Sequence, residues 1–398
     1  MLSVHEARAM ILAATRPLPA RAVPLGAALD GVAAADVVSP RNLPAWDNSA
    51  MDGYAVRSAD VAGATENSPI HLRVAGEVAA GKAATTPVGP QTCVRIFTGA
   101  PLPTGADAVV MQEDTRPHHD GYIAVLDAVV AGENIRRAGD DVRAGDVVVR
   151  AGTLFGPAQV GLAAAVGQAE LLVYPRPRVG VLVTGAEVVE PGRRLAAGQI
   201  YDSNSFLLGG LVQRAGGEWV NLGIADDTKE ALTEKLEYAL AECDVVITSG
   251  GVSVGEYDLV KDVLRDLGCQ QQFWKVAMKP GKPFVFGTRD HRLVFGLPGN
   301  PVSAAVTFLL LARPALLRLR GLTDLELPQL TGVAAADLVN DGERPHYLRA
   351  RYEAGKVTPL ARQGSHVISS LTQANCLVEV PPCRTIPAGT TVTAQLFA

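Results

Sequence analysis

From about residue 176 onward, short apolar runs alternate with helical stretches of about 10–18 residues, and few folds accept that rhythm. Arg178–Val183 reads as a buried strand and Asp202–Ala215 as an amphipathic helix. Trp219–Ile224, Asp244–Thr248 and Leu293–Leu297 read as further strands, with helices over Thr228–Ala241, Tyr257–Leu267 and Val302–Leu319. Parallel strands need long crossovers, usually helical, so the pattern predicts a mostly parallel α/β sheet. Ligands of such sheets bind outside the carboxyl ends of the strands.

The rest of the chain has a different texture. Ser3-Val4-His5-Glu6 has the form of a capping box and predicts a helix through about Ala14, ended by Pro17 and Pro19. Between residues 43 and 134, strand-length runs such as Val94–Phe97, Ala108–Met111 and Tyr122–Leu126 are separated by Gly, Pro and Asp turns. Residues 135–173 return to short strands and one helix, about Gly156–Val166, so a β domain is inserted into another element. After Pro328, short β runs interleaved with Gly and Pro suit a small barrel. The fold class is therefore α/β plus all-β domains in a multi-domain chain.

Composition excludes several functions. A net charge of −5 and 20 aromatics among 398 residues lack the basic stripe and stacking residues of a nucleic-acid binder. The cysteine count is five with no CxxC pair, against a disulfide framework or structural zinc and for a reducing, cytoplasmic location. The longest apolar helical run, Val302–Ala312, is stopped by Arg313 and Pro314, well short of the roughly 20 residues that cross a bilayer. No membrane association is expected. His5, Glu6 and Arg8 interrupt the N-terminus where the apolar core of a secretory signal would lie.

Four motifs carry chemistry. Thr248-Ser249-Gly250-Gly251-Val252-Ser253 follows a strand, and the run on to Asp258 opens a helix. Paired glycines let several N–H groups face one point, which makes an anion nest; a tight turn without ligand is the alternative. Lys275, Lys279 and Lys282 fall within eight residues of a chain with eight lysines, two of them in Lys279-Pro280-Gly281-Lys282-Pro283. Ammonium groups on a stiff turn suit an oxyanion, although a solvated turn would also carry them. Leu297-Pro298-Gly299-Asn300-Pro301 leads into an apolar helix, where Ser303 and free N–H groups could hold an anion. Finally, Asp52, Asp141, Glu187, Asp226, Asp227 and Asp258 sit at strand ends or in turns. Such hard carboxylates near a phosphate nest could share Mg²⁺ with phosphate oxygens, while any one alone could simply cap a helix or turn. No nucleophile motif is evident.

These residues resemble the molybdopterin molybdenumtransferases, the MoeA family, similar to the E domain of gephyrin. The resemblance runs through Asn48-Ser49-Ala50-Met51-Asp52-Gly53-Tyr54-Ala55-Val56, Arg95-Ile96-Phe97-Thr98-Gly99-Ala100-Pro101, Asn134-Ile135-Arg136-Arg137 and Gly139-Asp140-Asp141. It continues through Thr184-Gly185-Ala186-Glu187, Ser249-Gly250-Gly251-Val252-Ser253, the lysine turn and Leu297-Pro298-Gly299-Asn300-Pro301, in family order over nearly the whole chain. It implies an elongated segment (15–42 and 135–173), an inserted β domain (43–134), a MogA-like molybdopterin-binding α/β domain (1–14 and 174–323) and a C-terminal β barrel (324–398). It further implies a homodimer with sites shared between subunits. The implied reaction inserts molybdate into the dithiolene of adenylylated molybdopterin, releasing AMP with Mg²⁺.

By the same resemblance, Asp52, Thr98, Asp141, Glu187, Asp226 and Asp258 are the catalytic candidates, with Asp52, Glu187 and Asp258 as metal ligands. Ser249, Gly250, Gly251, Ser253, Lys275, Lys279, Lys282, Pro298, Pro301, Ser303, Arg349 and Ser365 are the substrate-binding set. The chain has Ala186 where the family usually has Asp, and the stretch Gly223–Asp227 is one residue short, which leaves Asp226 and Asp227 both open. Implied partners are small-molecule substrates, with transient contact to the preceding adenylyltransferase and to molybdoenzymes or their chaperones. A gephyrin-like scaffold, a MogA-like adenylyltransferase and a tungstate-specific enzyme are the competing functions. The adenylyltransferase would leave the flanking domains unexplained.

Overall fold

The computed structural model describes residues 1–226, 228–251 and 259–397. The alternation after residue 176 builds a six-stranded sheet in the order Glu218–Ala225, Arg178–Thr184, Val245–Ser249, Arg292–Leu297, Pro283–Arg289, Gln270–Lys275. The first four strands are parallel, and the last two join by antiparallel pairing. Asp290 and His291 alone connect Pro283–Arg289 to Arg292–Leu297. Two residues cannot make a crossover, so this pair closes as a hairpin, with Asp290 at positive φ.

Side chains alternate across the sheet and divide its core into two layers. Val179, Val181, Val245, Ile247, Phe295 and Leu297 face Leu208, Val212, the helix Pro301–Leu319 and Ile11 of the N-terminal helix. Leu182, Val246 and Val294 face Leu232, Leu236, Leu240, Val263 and Leu264 on the other side. The N-terminal helix Val4–Ala14 thus packs on a sheet that begins far along the chain. Its Ser3–Glu6 capping box forms as the sequence predicts.

The helix Pro301–Leu319 is longer than its apolar run suggests. It runs from α through a π turn at Phe308–Ala312 and back to α, passing Arg313 and Pro314. Pro314 lies in the first turn of the last segment, where a missing N–H is tolerated. With 19 residues the helix could cross a bilayer by length and composition, but of its 18-residue window of mean hydropathy 1.6, 89% is buried inside the protein. It is a core helix.

Arg21–Pro24 and Val32–Ala33 pair with Glu170–Tyr174, Val37–Val38 with Val147–Val149, and Asn48–Ser49 with Ile135–Arg136. These antiparallel contacts join two distant chain stretches. Between them lies a second six-stranded sheet: Ala108–Met111, Gly53–Val56, Thr92–Ile96, Ile70–Val78, Tyr122–Val125, Thr115–Pro117. At the C-terminus, Gln329–Ala334, Lys356–Pro359, His346–Glu353, Cys376–Val380 and Thr391–Leu396 close a barrel around Leu348, Ala350, Val357 and Val378. The α/β and β parts expected from the sequence are therefore present.

Candidate active site

A cavity of about 740 Å³ opens at the carboxyl ends of Arg178–Thr184, Val245–Ser249 and Arg292–Leu297. Thr184, Gly185 and Glu187 form one wall, and Ser249, Gly250 and Gly251 another. Pro298, Gly299, Asn300 and Pro301 form a third, and Asp202 and Asn204 complete it from the start of the helix Asn204–Arg214. The location is the one that parallel strand topology prescribes.

The glycine turn depends on its glycines. Gly250 has φ +94° and Gly251 φ +65°. A Cβ on Gly250 would lie 2.5 Å from the Thr184 carbonyl oxygen. The Gly250 N–H donates to Leu297 O at 3.2 Å, which holds this turn against the next strand end. Ser253 and Asp258 lie outside the described residues, as does Asp227.

The lysine turn is fixed from two sides. Lys279 N–H donates to Pro345 O (2.9 Å), and Tyr347 N–H donates to Lys279 O (2.8 Å), tying the turn to the barrel. Gly281, at φ +106°, lies against the core helix, where a Cβ would overlap Thr307 Cγ2. Lys279 and Lys282 are exposed, and the adjoining Pro283 lines the cavity. Lys275 Nζ instead lies 3.7 Å from the Trp274 ring centroid.

The remaining candidates are spread more widely. Asp52 and Thr98 meet: Thr98 N–H and Oγ1–H both donate to Asp52 Oδ1, at 2.7 and 2.8 Å. The Thr98 backbone bond, then its hydroxyl, hold the Asp52 carboxyl below the usual range. This pair and exposed Asp141 lie in the N-terminal part and do not line the cavity. Asp226 is exposed just past Glu218–Ala225, outside the lining. Ser303 is buried within the first turn of the core helix. Ser365 O accepts from Val302 N–H at 3.1 Å, which brings the barrel loop onto that helix start.

Arg349 is fully buried. Its Nε donates to Ser370 Oγ at 2.8 Å, and Nη2 to the carbonyls of Arg362 and Gly364. Its Nη1 is buried without a partner, and burial lowers its pKa to about 10. Burial pushes Cys243 and Cys376 up to about 11 and Cys93 up to about 12, so none of these three thiols is poised as a nucleophile. Among the described residues, no three His, Cys, Asp or Glu side chains come together as a metal site. Asp202 and Asn204 were missed from sequence. Their signal was the run Asp202-Ser203-Asn204, whose residue types favour a helix start.

Comparisons with known proteins identify relatives over the whole chain. Three family models cover most of the chain: the MoeA N-terminal region (domains I and II) over residues 2–167, a probable molybdopterin binding domain over 180–318, and the MoeA C-terminal region (domain IV) over 331–397. The molybdopterin molybdenumtransferase of Haemophilus influenzae is 40% identical over 406 aligned residues, covering 100% of this chain and 99% of its own. Molybdopterin molybdenumtransferase 2 of Mycobacterium tuberculosis is 41% identical, with 96% of each chain covered. The crystal structure of a MoeA protein from Pyrococcus horikoshii superposes with a TM-score of 0.87 at 33% identity, covering 100% of this chain and 99% of that one.

Proposed function

The chain belongs to the MoeA family of molybdopterin molybdenumtransferases, and from that premise we propose that it inserts molybdate into the dithiolene of adenylylated molybdopterin. AMP and molybdenum cofactor are the products. One observation carries the reading: the glycine turn and the Pro283 end of the lysine turn border one cavity. The Gly251 N–H, beside the cavity, suits the substrate's phosphates, while the Gly250 N–H is spent on Leu297 O and holds the turn in place. Lys279 and Lys282 supply ammonium groups for the doubly charged oxyanion, with Ser365 on the barrel loop that meets the start of the core helix; Arg349, fully buried, braces that loop through the Arg362 and Gly364 carbonyls. The dithiolene sulfur belongs to the substrate, consistent with the three buried, unactivated thiols.

Mg²⁺ fits this donor set. It takes one or two carboxylates and completes its shell with water and substrate phosphates. Glu187 offers an exposed carboxylate on the cavity wall, and the family resemblance adds Asp258, which lies outside the described residues. When bound, the ion would supply charge neutralisation on the phosphate oxygens. The chain's own groups orient the phosphates and the oxyanion.

The separation of Asp52, Thr98 and Asp141 from the cavity favours a homodimer in which these residues serve the partner copy's cavity. We take the four-part division drawn from the sequence as its organisation and place the reaction in the cytoplasm. The test is incubation of purified chain with adenylylated molybdopterin, Mg²⁺ and molybdate. AMP should appear only when all three are present. AMP release independent of molybdate, or none with intact substrate, refutes the reading.

A further inference from the structure

Asn204 begins the helix Asn204–Arg214 and is 7% exposed. Its position is set just before the helix, where Asp202 N–H donates to Val189 O (2.8 Å) and Asp202 Oδ1 accepts from Ser205 N–H (3.0 Å). The Asn204 amide then spans two turns. Nδ2 donates to Ser249 Oγ at 2.9 Å and to Gly299 O at 2.7 Å, and Ser249 Oγ donates on to Pro298 O at 3.3 Å. The turns touch, since a Cβ on Gly299 would lie 3.6 Å from Gly250 Cα.

Both donors of the amide are therefore spent on the protein. Its acceptor is not: Asn204 Oδ1 is buried without a partner. Thr184 Oγ1, on the same cavity wall, is also buried and unpartnered, as are Thr248 Oγ1 and Ser205 Oγ next in the chain to lining residues. Native folds seldom leave such atoms unsatisfied, and a cluster of them beside one cavity marks a place completed by something else.

We propose that Asn204 is a positioning residue for the transfer reaction: its amide staples the glycine turn to the Pro298–Pro301 turn and fixes the spacing between the two halves of the site. The inference rests on the reading of this cavity as the adenylylated-pterin site. In that reading Ser249-Gly250-Gly251 holds phosphate, while Pro298–Pro301 starts the helix that Ser365 and the lysine turn pack against. A loss of register between the turns misplaces the reacting groups even where the backbone phosphate nest survives. Misplacements near 1 Å cost rate by as much as ~100-fold.

The experiment measures AMP release and, separately, AMP binding by calorimetry, for wild type, Asn204→Asp, Asn204→Ala, Ser249→Ala and the Asn204→Ala/Ser249→Ala double variant. Asn204→Asp keeps the shape and loses both donors. The expected result is a kcat lowered ~10- to 100-fold by either Asn204 variant, with AMP affinity little changed in Asn204→Ala because the backbone nest survives. Ser249→Ala should fall between, since the Gly299 bond remains. The double variant should be no slower than Asn204→Ala alone, as expected for one network. Thermal melts report folding, and Ser249→Ala keeps the test valid if Asn204→Ala fails to fold. A kcat unchanged in folded Asn204→Asp, or additive losses in the double variant, overturns the proposal. An inactive wild type that still melts cooperatively overturns the reading of the cavity itself, and the inference with it.

Discussion

Replacing Gly250 by Ala tests the glycine turn most directly. The residue sits at φ +94°, a region that costs an L-residue about 1–2 kcal/mol. The new methyl would also lie 2.5 Å from Thr184 O and 2.9 Å from Thr184 Oγ1. Non-bonded carbon contacts settle near ~3.5 Å, so the turn must retreat by roughly 1 Å. It cannot retreat freely, because Gly250 N–H is bonded to Leu297 O and Ser249 to Asn204. The expected outcome is a stability loss of about 2–3 kcal/mol in a urea titration and a rise of about tenfold or more in the KM for adenylylated molybdopterin, equivalent to ~1.4 kcal/mol. Molybdate dependence should move less, since the lysine turn is held by the barrel and Thr307. Gly251→Ala is the internal comparison: at φ +65° its methyl would meet Val260 Cγ2 at 2.7 Å and Thr184 Oγ1 at 3.0 Å, side-chain atoms rather than a backbone carbonyl. It should be the milder variant. Wild-type KM in Gly250→Ala, or a greater loss in Gly251→Ala, would refute the argument.

Three further outcomes are expected. Lys282→Ala should raise the molybdate concentration for half-maximal AMP release about tenfold, as one charge-assisted bond of roughly 1.5–3 kcal/mol is lost, while AMP binding by calorimetry stays as in wild type. Asp52→Ala and Lys279→Ala, each inactive, should recover activity as a mixed dimer holding one intact shared site; a verified heterodimer that stays inactive disproves sharing. His346 is buried with both ring nitrogens unpartnered, and desolvation, then Lys279, Arg349 and Arg344, lower its pKa from 6.5 to about 4. A neutral imidazole stabilises the fold above pH 6.5, and this contribution is lost as pH falls from 6.5 toward 4, to a ceiling of ~3 kcal/mol; urea titrations of His346→Gln across this window should show a flatter pH dependence than wild type.

The sequence carried the α/β layer well, because its strands and helices differ in hydrophobic period and each has a cap or a turn at its ends. Thr228 and Ser3 mark helix starts that form within a residue of the reading. The hairpin Pro283–Arg289/Arg292–Leu297 was legible only in part. Its first strand is masked in sequence by the lysine motif, and its two-residue link fixes antiparallel pairing that helix–strand alternation alone does not suggest. Ile70–Val78 escaped notice because its exposure alternates poorly, with three intermediate residues in a row. The core helix was read to its full length, Val302–Leu319, but its π turn at Phe308–Ala312 leaves no signature in composition.

The site divides along the same physical line. Groups held by local backbone geometry were readable: Gly250 and Gly251 need positive φ, and Pro298 and Pro301 shape a helix start, so residue type alone reveals the role. Groups held by tertiary contact were not. Asn204 looks like any helix-opening residue until Ser249 and Gly299 arrive from strands 45 and 95 residues later. Arg349 looks like a strand arginine until the loop carrying Gly364 folds over it and leaves one nitrogen unpaired. The carboxylates show the same limit from the other side. Asp52 and Thr98 were grouped with Glu187 through the family motif match, yet the fold pairs the first two away from the cavity and leaves Glu187 on its wall. On the proposed reading, the glycine and lysine turns border the cavity on one part of the chain and the Asp52–Thr98 pair lies on another. Bringing Asp52 to the cavity requires either a large rearrangement of two packed sheets or a second copy, and the second copy disturbs no core.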